Sequence, residues 1–434
     1  IDAHLRSNED KILLIEGARQ IGKSYIIRDV GTELDDNDVE INFVEDDAGD
    51  KIFRNVRTTE EFYLNLSMVA GFKLDKYENT LVFIDEIQHY PQFLTMLKFL
   101  RQEHRYRFIC SGSLLGIALK KTVSVPVGSI IPKKMYQLDF EEFLIANDFG
   151  EDAIVHLRKS FEQKQPLAPE VHDKVLSLFK RYLLVGGMPD AVNEYLNSHN
   201  IVKVREAQES IRELYGVDAS RYEEDAAKKL YIRRIYDMIP SQMENKKKRI
   251  VAKDILDRKG DRFSNYMEEF EYLINSGITI ASNAISNPKY PLAESQQKNL
   301  LKLYMNDVGM LSSQLYHYNI QPILNDIASI NLGSVYESAV AQELKAHYEK
   351  LFYYDNKQKG KVDFLVADSG TMSVLPIEVK SGKDYTVHSA LDNLMTIQDY
   401  HIISSIVLSN EREIKTKGNM QKELLEIEFR YHDR

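Results

Sequence analysis

Gly17-Ala18-Arg19-Gln20-Ile21-Gly22-Lys23-Ser24 constrains this chain more than any other segment of it. The run fits G-x-x-x-x-G-K-[S/T] and lies between the apolar stretch Ile12-Leu13-Leu14-Ile15 and a segment of helical character, the context a phosphate-binding loop requires. Gly17 and Gly22 permit backbone torsions that turn successive N–H groups inward around phosphate oxygens, and the following helix adds its positive N-terminal end. Ala18, Arg19, Gln20 and Ile21 complete the cradle. Lys23 is expected to reach the β- and γ-phosphates of ATP, and the Ser24 hydroxyl to ligate Mg2+. The alternative, an ordinary glycine turn, leaves the strand-loop-helix context unexplained.

A loop of this kind needs an α/β frame, and residues 11–145 supply the pattern. The runs KILLIEG, VEINFVE, LVFIDE, RFICSGS and KKMYQLDF alternate with helix-length stretches, which predicts a mostly parallel sheet covered on both faces. Leu81-Val82-Phe83-Ile84 ends in Asp85 and Glu86, two carboxylates at the strand end that should open on the phosphate site. Asp85 is expected to hold Mg2+ through water. Glu86 is the natural general base, or orienter, for a water attacking the γ-phosphate. Capping of the next helix is the competing explanation for that pair. Ser111 or Ser113, after the strand Arg107–Cys110, would sense the γ-phosphate, unless they merely cap a helix.

Size and composition bound the rest. At 434 residues the chain is long enough for two to four domains. Hydrophobic residues at 43% and charged residues at 28% are those of a folded globular protein. The net charge of −10 repels polyanions on average, so any nucleic-acid site must be a local basic patch. Cys110 is the only cysteine, which excludes intramolecular disulfides and multi-cysteine zinc sites and suits a reducing cytoplasm. No apolar stretch approaches the roughly 20 residues needed to cross a bilayer. The start, IDAHLRSNEDK, lacks the apolar core of a secretory signal, and its lack of a Met suggests a trimmed N-terminus.

Beyond 150 the pattern changes. Residues 151–235 read as helical, broken at Leu184-Val185-Gly186-Gly187-Met188-Pro189, where two glycines and a proline force a loop. Residues 250–310 read as helix, helix and two short strands, with Tyr266, Phe270, Leu273 and Ile274 on one face and a stop at Gly277. That order suits a winged-helix unit. Its second helix carries Glu268, Glu269 and Glu271, which disfavour groove docking, whereas the run Lys246 to Arg249 offers charges to a DNA backbone. A purely packing role for this unit is the alternative.

From 330, a helix at Gly333–Lys350 precedes the strands LFYY, VDFLVA and VLPIEV, a helix at 388–400 and the strand IISSIVLS. Glu378 and Lys380, two apart on a strand, share a face. If their strand pairs with VDFLV as a hairpin, Asp363 meets Glu378 and the two carboxylates can hold a hard divalent cation. Lys380 would then orient the water attacking a phosphodiester. This is the constellation of the PD-(D/E)XK nuclease superfamily, and Glu337 matches a position where that superfamily often adds an acidic ligand. A solvated Glu and Lys at a strand end is the plain alternative.

The chain resembles the prokaryotic AAA+ type ATPases in which an N-terminal P-loop domain is fused to a C-terminal domain of uncharacterised function. GARQIGKS, LVFIDEIQHYP, FICSGSLL, PVGSIIPKKMYQLDFEEFL, YLLVGGMPDAV, LKLYMNDVGML and VDFLV with PIEVKSG carry the resemblance. It implies a sheet order typical of AAA+ domains, a winged-helix segment in the middle and a restriction-endonuclease-like fold at the end. The fold class expected is therefore α/β, with an ATPase domain at 1–150, a helical connector at 151–245, a winged-helix-like unit at 246–325 and a nuclease-like α/β domain at 326–434. Relatives often assemble, which makes a homo-oligomer an open expectation. They also often carry Gly-Arg after the PV turn, where this chain has Gly128-Ser129, so an arginine finger at that position is in doubt. Arg181, Arg233 and Arg234 are then candidates on charge alone. The function implied is Mg2+-dependent ATP hydrolysis coupled to DNA-related work through the nuclease-like domain; the alternative is a nucleotide-switched binding protein whose nuclease-like domain is inactive.

Overall fold

Two sheets organise the chain, and both arise from the apolar runs named above. The computed structural model describes residues 1–7, 9–34, 37–42, 52–74, 80–113, 128–222, 225–245, 248–257, 259–325, 332–356, 358–381, 389–400, 402–412, 415–417 and 420–424. Its backbone divides into two units, one of residues 1–136 with 275–277, the other of 137–274 with 278–434.

The first unit is built on β1 (Ile12–Glu16), β2 (Asn37–Asn42), β3 (Thr80–Asp85), β4 (Arg107–Gly112) and β5 (Ile130–Lys134), in the order β2-β3-β4-β1-β5. Every neighbouring pair is parallel. Side chains alternate across a strand. Accordingly Ile12, Leu14, Val82, Ile84, Phe108 and Cys110 pack with Phe62, Phe93 and Leu97 in one core. Leu13, Ile15, Leu81, Phe83 and Ile109 pack with Ile27 in the other. The sheet is thus buried on both faces, as a parallel sheet must be. The expected strand KKMYQLDF is displaced: β5 ends at Lys134, paired with Glu16 of β1. The displacement has a local cause, because Asp139 is committed as the N-cap of the helix Phe140–Ala146 and closes a capping box with Glu142.

In the second unit the expected helical region appears as helices at Glu151–Glu162, Pro169–Val185, Pro189–Ser198, Ile201–Tyr222 and Ala226–Glu244. The break falls where expected. Gly186 has φ +74°, and a Cβ on Gly187 would stand 1.8 Å from the Leu138 carbonyl oxygen, so neither position admits another residue without a shift. Asp307 closes this turn by accepting the Gly187 N–H at 2.6 Å.

The unit's eight-stranded mixed sheet runs β12-β13-β11-β10-β9-β8-β6-β7. Its strands are β6 (Thr279–Ile285), β7 (Gln296–Met305), β8 (Leu351–Asn356), β9 (Gly360–Asp368), β10 (Ser373–Val379), β11 (Ser405–Ser409), β12 (Lys415–Lys417) and β13 (Met420–Leu424). The helix expected at Gly333–Lys350 ends at His347 and buries Tyr336, Val340 and Leu344, while Tyr348 falls at its C-cap and is only partly buried. The two strands expected near 280 and 300 are β6 and β7, an antiparallel pair; β6 also runs parallel to β8 and joins them to the later strands. In the helix Met267–Asn275 it is Tyr272 that joins Phe270 and Leu273 in the buried set, and Glu269 is buried with them rather than facing outward.

Candidate functional site

The six residues Gly17–Gly22 leave β1 after Glu16 and enter the helix Lys23–Leu34 directly, which takes in Lys23 and Ser24 of the motif. The loop's shape requires unusual torsions at Gln20, with φ +61°, and Gly22, with φ +89°. Gly17 is tightly enclosed: a Cβ there would meet the Ile21 Cδ1 and the Met135 carbonyl oxygen, each at 2.4 Å. Lys23 is only 5% exposed. Its ammonium lies inside the loop and donates to the Ala18 carbonyl at 2.7 Å and to that of Gly17 at 3.2 Å.

Sheet order brings the other groups to the same edge. β4 lies between β1 and β3, so the carboxyl ends of all three meet beside the loop. The Ser24 hydroxyl donates to Asp85 Oδ2 at 2.6 Å. Ser111, on β4, donates to Asp85 Oδ1, and the Asn42 side-chain amide reaches Asp85 Oδ2 at 3.4 Å. Glu86 sits in the left-handed region with φ +51°, which turns its carboxylate away from the run of β3. There its Oε2 accepts from the Gln88 amide and, at 3.2 Å, from the Ser113 hydroxyl, with Arg19 Nη2 3.8 Å away.

Gly17 through Ser24, Asp85, Glu86 and Ser111 therefore converge at one end of one sheet. Asn42 and Gln88 belong to the same cluster and were missed by sequence reasoning; the polar end of the strand VEIN and the spacing Glu86-x-Gln88 were the available signals. Ser24 and Asp85 offer a hydroxyl and a carboxylate in mutual contact, a hard-oxygen pair that fits Mg2+, which takes few protein ligands and completes its shell with phosphates and water.

The second unit assembles the other predicted set. β9 and β10 pair antiparallel with Phe364 opposite Ile377, which brings Asp363 alongside Glu378. Asp363 Oδ2 accepts the Val379 N–H at 3.0 Å, and Glu378 Oε1 lies 2.5 Å from the Lys380 ammonium. Glu337, 1% exposed, is clasped by Lys302 and Lys248, each at 2.7 Å, and by the Tyr304 hydroxyl at 2.7 Å. Burial pushes the Glu337 acid up, yet the two ammonium groups overcome it and hold its pKa at about 2. Burial raises Asp363, and the negative charge of Glu337 raises it further. Burial likewise raises Glu378, against the pull of Lys380.

Three carboxylates thus face three ammonium groups. A divalent cation between Asp363 and Glu378 would compete with the Lys380 ammonium for Glu378, whose Oε2 is buried without a hydrogen-bond partner. Among the described residues no group of three or more His, Cys, Asp or Glu side chains is arranged to hold a metal. Lys302 and Lys248 are the members that sequence reasoning missed, because nothing in their neighbours' spacing points to Glu337. Lys246 and Lys247 lie outside the described residues; Arg249 is spent on Asp355 at 3.5 Å. Of the finger candidates, Arg181 reaches the Tyr195 hydroxyl, Arg233 lies by Asp237, and Arg234 donates to the Ile255 carbonyl.

Among the described residues no helix is long and apolar enough to cross a membrane. No curated protein matches the chain. Among solved structures, C. elegans PCH-2 aligns at 13% identity over 36% of this chain and 42% of its own, with a TM-score of 0.21. The S. cerevisiae Hsp104-ADP complex aligns at 13% over 64% and 36%, with a TM-score of 0.29. Cdc6p from Pyrobaculum aerophilum aligns at 12% over 75% and 91%, with a TM-score of 0.26. The chain spans less than half the length of the PCH-2 and Hsp104 chains it matches. Residues 176–318 match a domain of unknown function (DUF8612), and residues 332–428 match another (DUF4143). Residues 9–144 match the AAA domain family, and the five-stranded parallel sheet with its phosphate-type loop is the frame that match leads one to expect.

Proposed function

We propose that the chain hydrolyses ATP with Mg2+ in its first unit and uses the nucleotide state to control its second. The observation that carries this is the meeting of Lys23, Ser24, Asp85 and Glu86 at the carboxyl ends of β1 and β3. Lys23 and the loop N–H groups bind the phosphates, Ser24 and Asp85 would hold Mg2+, and Glu86 takes the proton of the attacking water. Mg2+ held there would supply charge neutralisation to the phosphate oxygens.

For the second unit, the balanced charges around Glu337 support the reading of a nucleotide-switched binding module on a nuclease-like frame over that of a metal-dependent nuclease. A winged-helix role for residues 246–325 and a DNA partner belong to this proposal, with the exposed Lys253, Lys259 and Arg262 as the available charges.

Phosphate release with and without duplex DNA tests the assignment. The wild type is expected to turn over, Lys23→Ala to lose nucleotide binding, and Glu86→Gln to bind ATP while losing about 10²-fold or more in kcat. Unchanged nucleotide binding in Lys23→Ala would refute the site. Stimulation by DNA supports coupling to DNA work; indifference to it counts against that coupling.

A further inference from the structure

The phosphate loop carries a second cation besides Lys23. Arg19 projects from the middle of the loop, and its side chain is 13% exposed. Its Nη2 lies 3.8 Å from Glu86 Oε2, and its Nε donates to the Ser113 hydroxyl at 3.4 Å. Ser113, 1% exposed, also contacts Glu86 and the Gln88 amide. Arg19, Ser113, Gln88 and Glu86 therefore form one cluster, tied to the loop at one end and to β3 and β4 at the other.

That position has a consequence for phosphoryl transfer. A general base stands about 3 Å from the water it deprotonates, and that water about 3–3.5 Å from the phosphorus it attacks. A guanidinium touching the base is thus within one side-chain rotation of the γ-phosphate oxygens. Those oxygens gather charge in the transition state, and a planar fork of donors matches them.

We propose that Arg19 is a catalytic arginine supplied in cis, resting on Glu86 and Ser113 and moving to a γ-phosphate oxygen when ATP binds. The inference rests on the ATPase reading. In the step it serves, the water oxygen bonds to the γ-phosphorus as the bridging O–P bond breaks. The bond's electron pair stays on the β-phosphate oxygen of ADP, and the water's proton goes to Glu86. Two features follow from one movement: charge on the transferring group is neutralised, and the base is released from its cation only when a γ-phosphate is present. An arginine from a second copy is then unnecessary.

The test compares full-length wild type, Arg19→Ala and Arg19→Lys by mant-ATP binding and steady-state phosphate release, with circular dichroism to check folding. Arg19→Ala is expected to bind mant-ATP within about fivefold of wild type and to lose about 10²-fold or more in kcat. Arg19→Lys should recover little, because a point charge lacks the fork. Wild-type specific activity should stay constant over a hundredfold dilution, which a residue that merely shapes the loop does not predict together with the kcat loss. Two results overturn the proposal: kcat of Arg19→Ala within threefold of wild type, or recovery of activity when Arg19→Ala is mixed with Lys23→Ala, which would mean the arginine acts in trans. A wild type that binds mant-ATP and releases no phosphate overturns the ATPase reading itself.

Discussion

Asp307 is fully buried, and its carboxylate accepts the N–H groups of Gly187 at 2.6 Å and Met310 at 3.0 Å. Burial still pushes its pKa up to about 6, against an ordinary 3.8. The folded chain therefore holds this proton more tightly than the unfolded one. Stability from this group is fully present below the unfolded value and is lost as pH rises through the folded one. Asp307→Asn cannot ionise. Its deficit against wild type, read from urea unfolding, should shrink by roughly 2 kcal/mol between pH 4.5 and pH 7. A deficit that stays level across that range would mean the carboxylate does not carry the proton. The residue also explains two stretches that looked like family signatures without a task. Gly186-Gly187 and Asn306-Asp307-Val308-Gly309 are one packed turn, in which a Cβ on Gly309 would lie 2.4 Å from the Val185 carbonyl oxygen.

At the scale of elements, much of the nucleotide site was legible because phosphate chemistry demands fixed spacing within one loop and a carboxylate at a strand end. Gly17 to Ser24 and Asp85 follow from that demand alone. Asn42 did not, since it reaches the cluster through sheet order, which no local pattern encodes, and Gln88 had only its spacing from Glu86 to mark it. The strand boundary at KKMYQLDF failed for a related reason: apolar alternation continued past Lys134, but the capping box at Asp139 fixed where the next helix began. In the second unit β9 and β10 were legible as apolar runs, while their pairing was only a condition, which the antiparallel ladder meets. The cations of Lys248 and Lys302 were not legible, and they change the chemistry. Lys302 is 5% exposed, and its ammonium also stands over the Tyr353 ring at 4.7 Å, so it is built into the core rather than resting on it. Wild-type protein titrated with Mn2+ in the absence of nucleotide is expected to show no binding that Asp363→Asn or Glu378→Gln removes. Lys302→Met leaves Glu337 with Lys248 as its one ammonium partner and strips one hydrogen bond from its Oε1, costs about 3 kcal/mol, and should be the variant whose melting temperature Mn2+ raises. Calorimetric Mn2+ binding by the wild type that vanishes in Asp363→Asn would restore the metal-dependent nuclease reading.

At the scale of the molecule, a nucleotide switch is a statement about free energy and not only about a site. A ligand shifts an equilibrium only by its differential affinity for the two states. ATP that controls the second unit must therefore change that unit's stability as well as that of residues 1–136. The two units have separate sheets, so their unfolding can be followed separately, for example by hydrogen exchange of β1–β5 and of β6–β11. Nucleotide at about 100 times its Kd should protect the first sheet by about 2.7 kcal/mol. If the switch operates, exchange in the second sheet should move by about 1–3 kcal/mol, the usual range of coupling between sites. Lys23→Ala should abolish both effects together, because the second depends on the first. Protection confined to β1–β5 in the wild type would mean that the P-loop unit binds its nucleotide without informing the rest of the chain, and the control of the second unit proposed above would have to be abandoned while the ATP site stood.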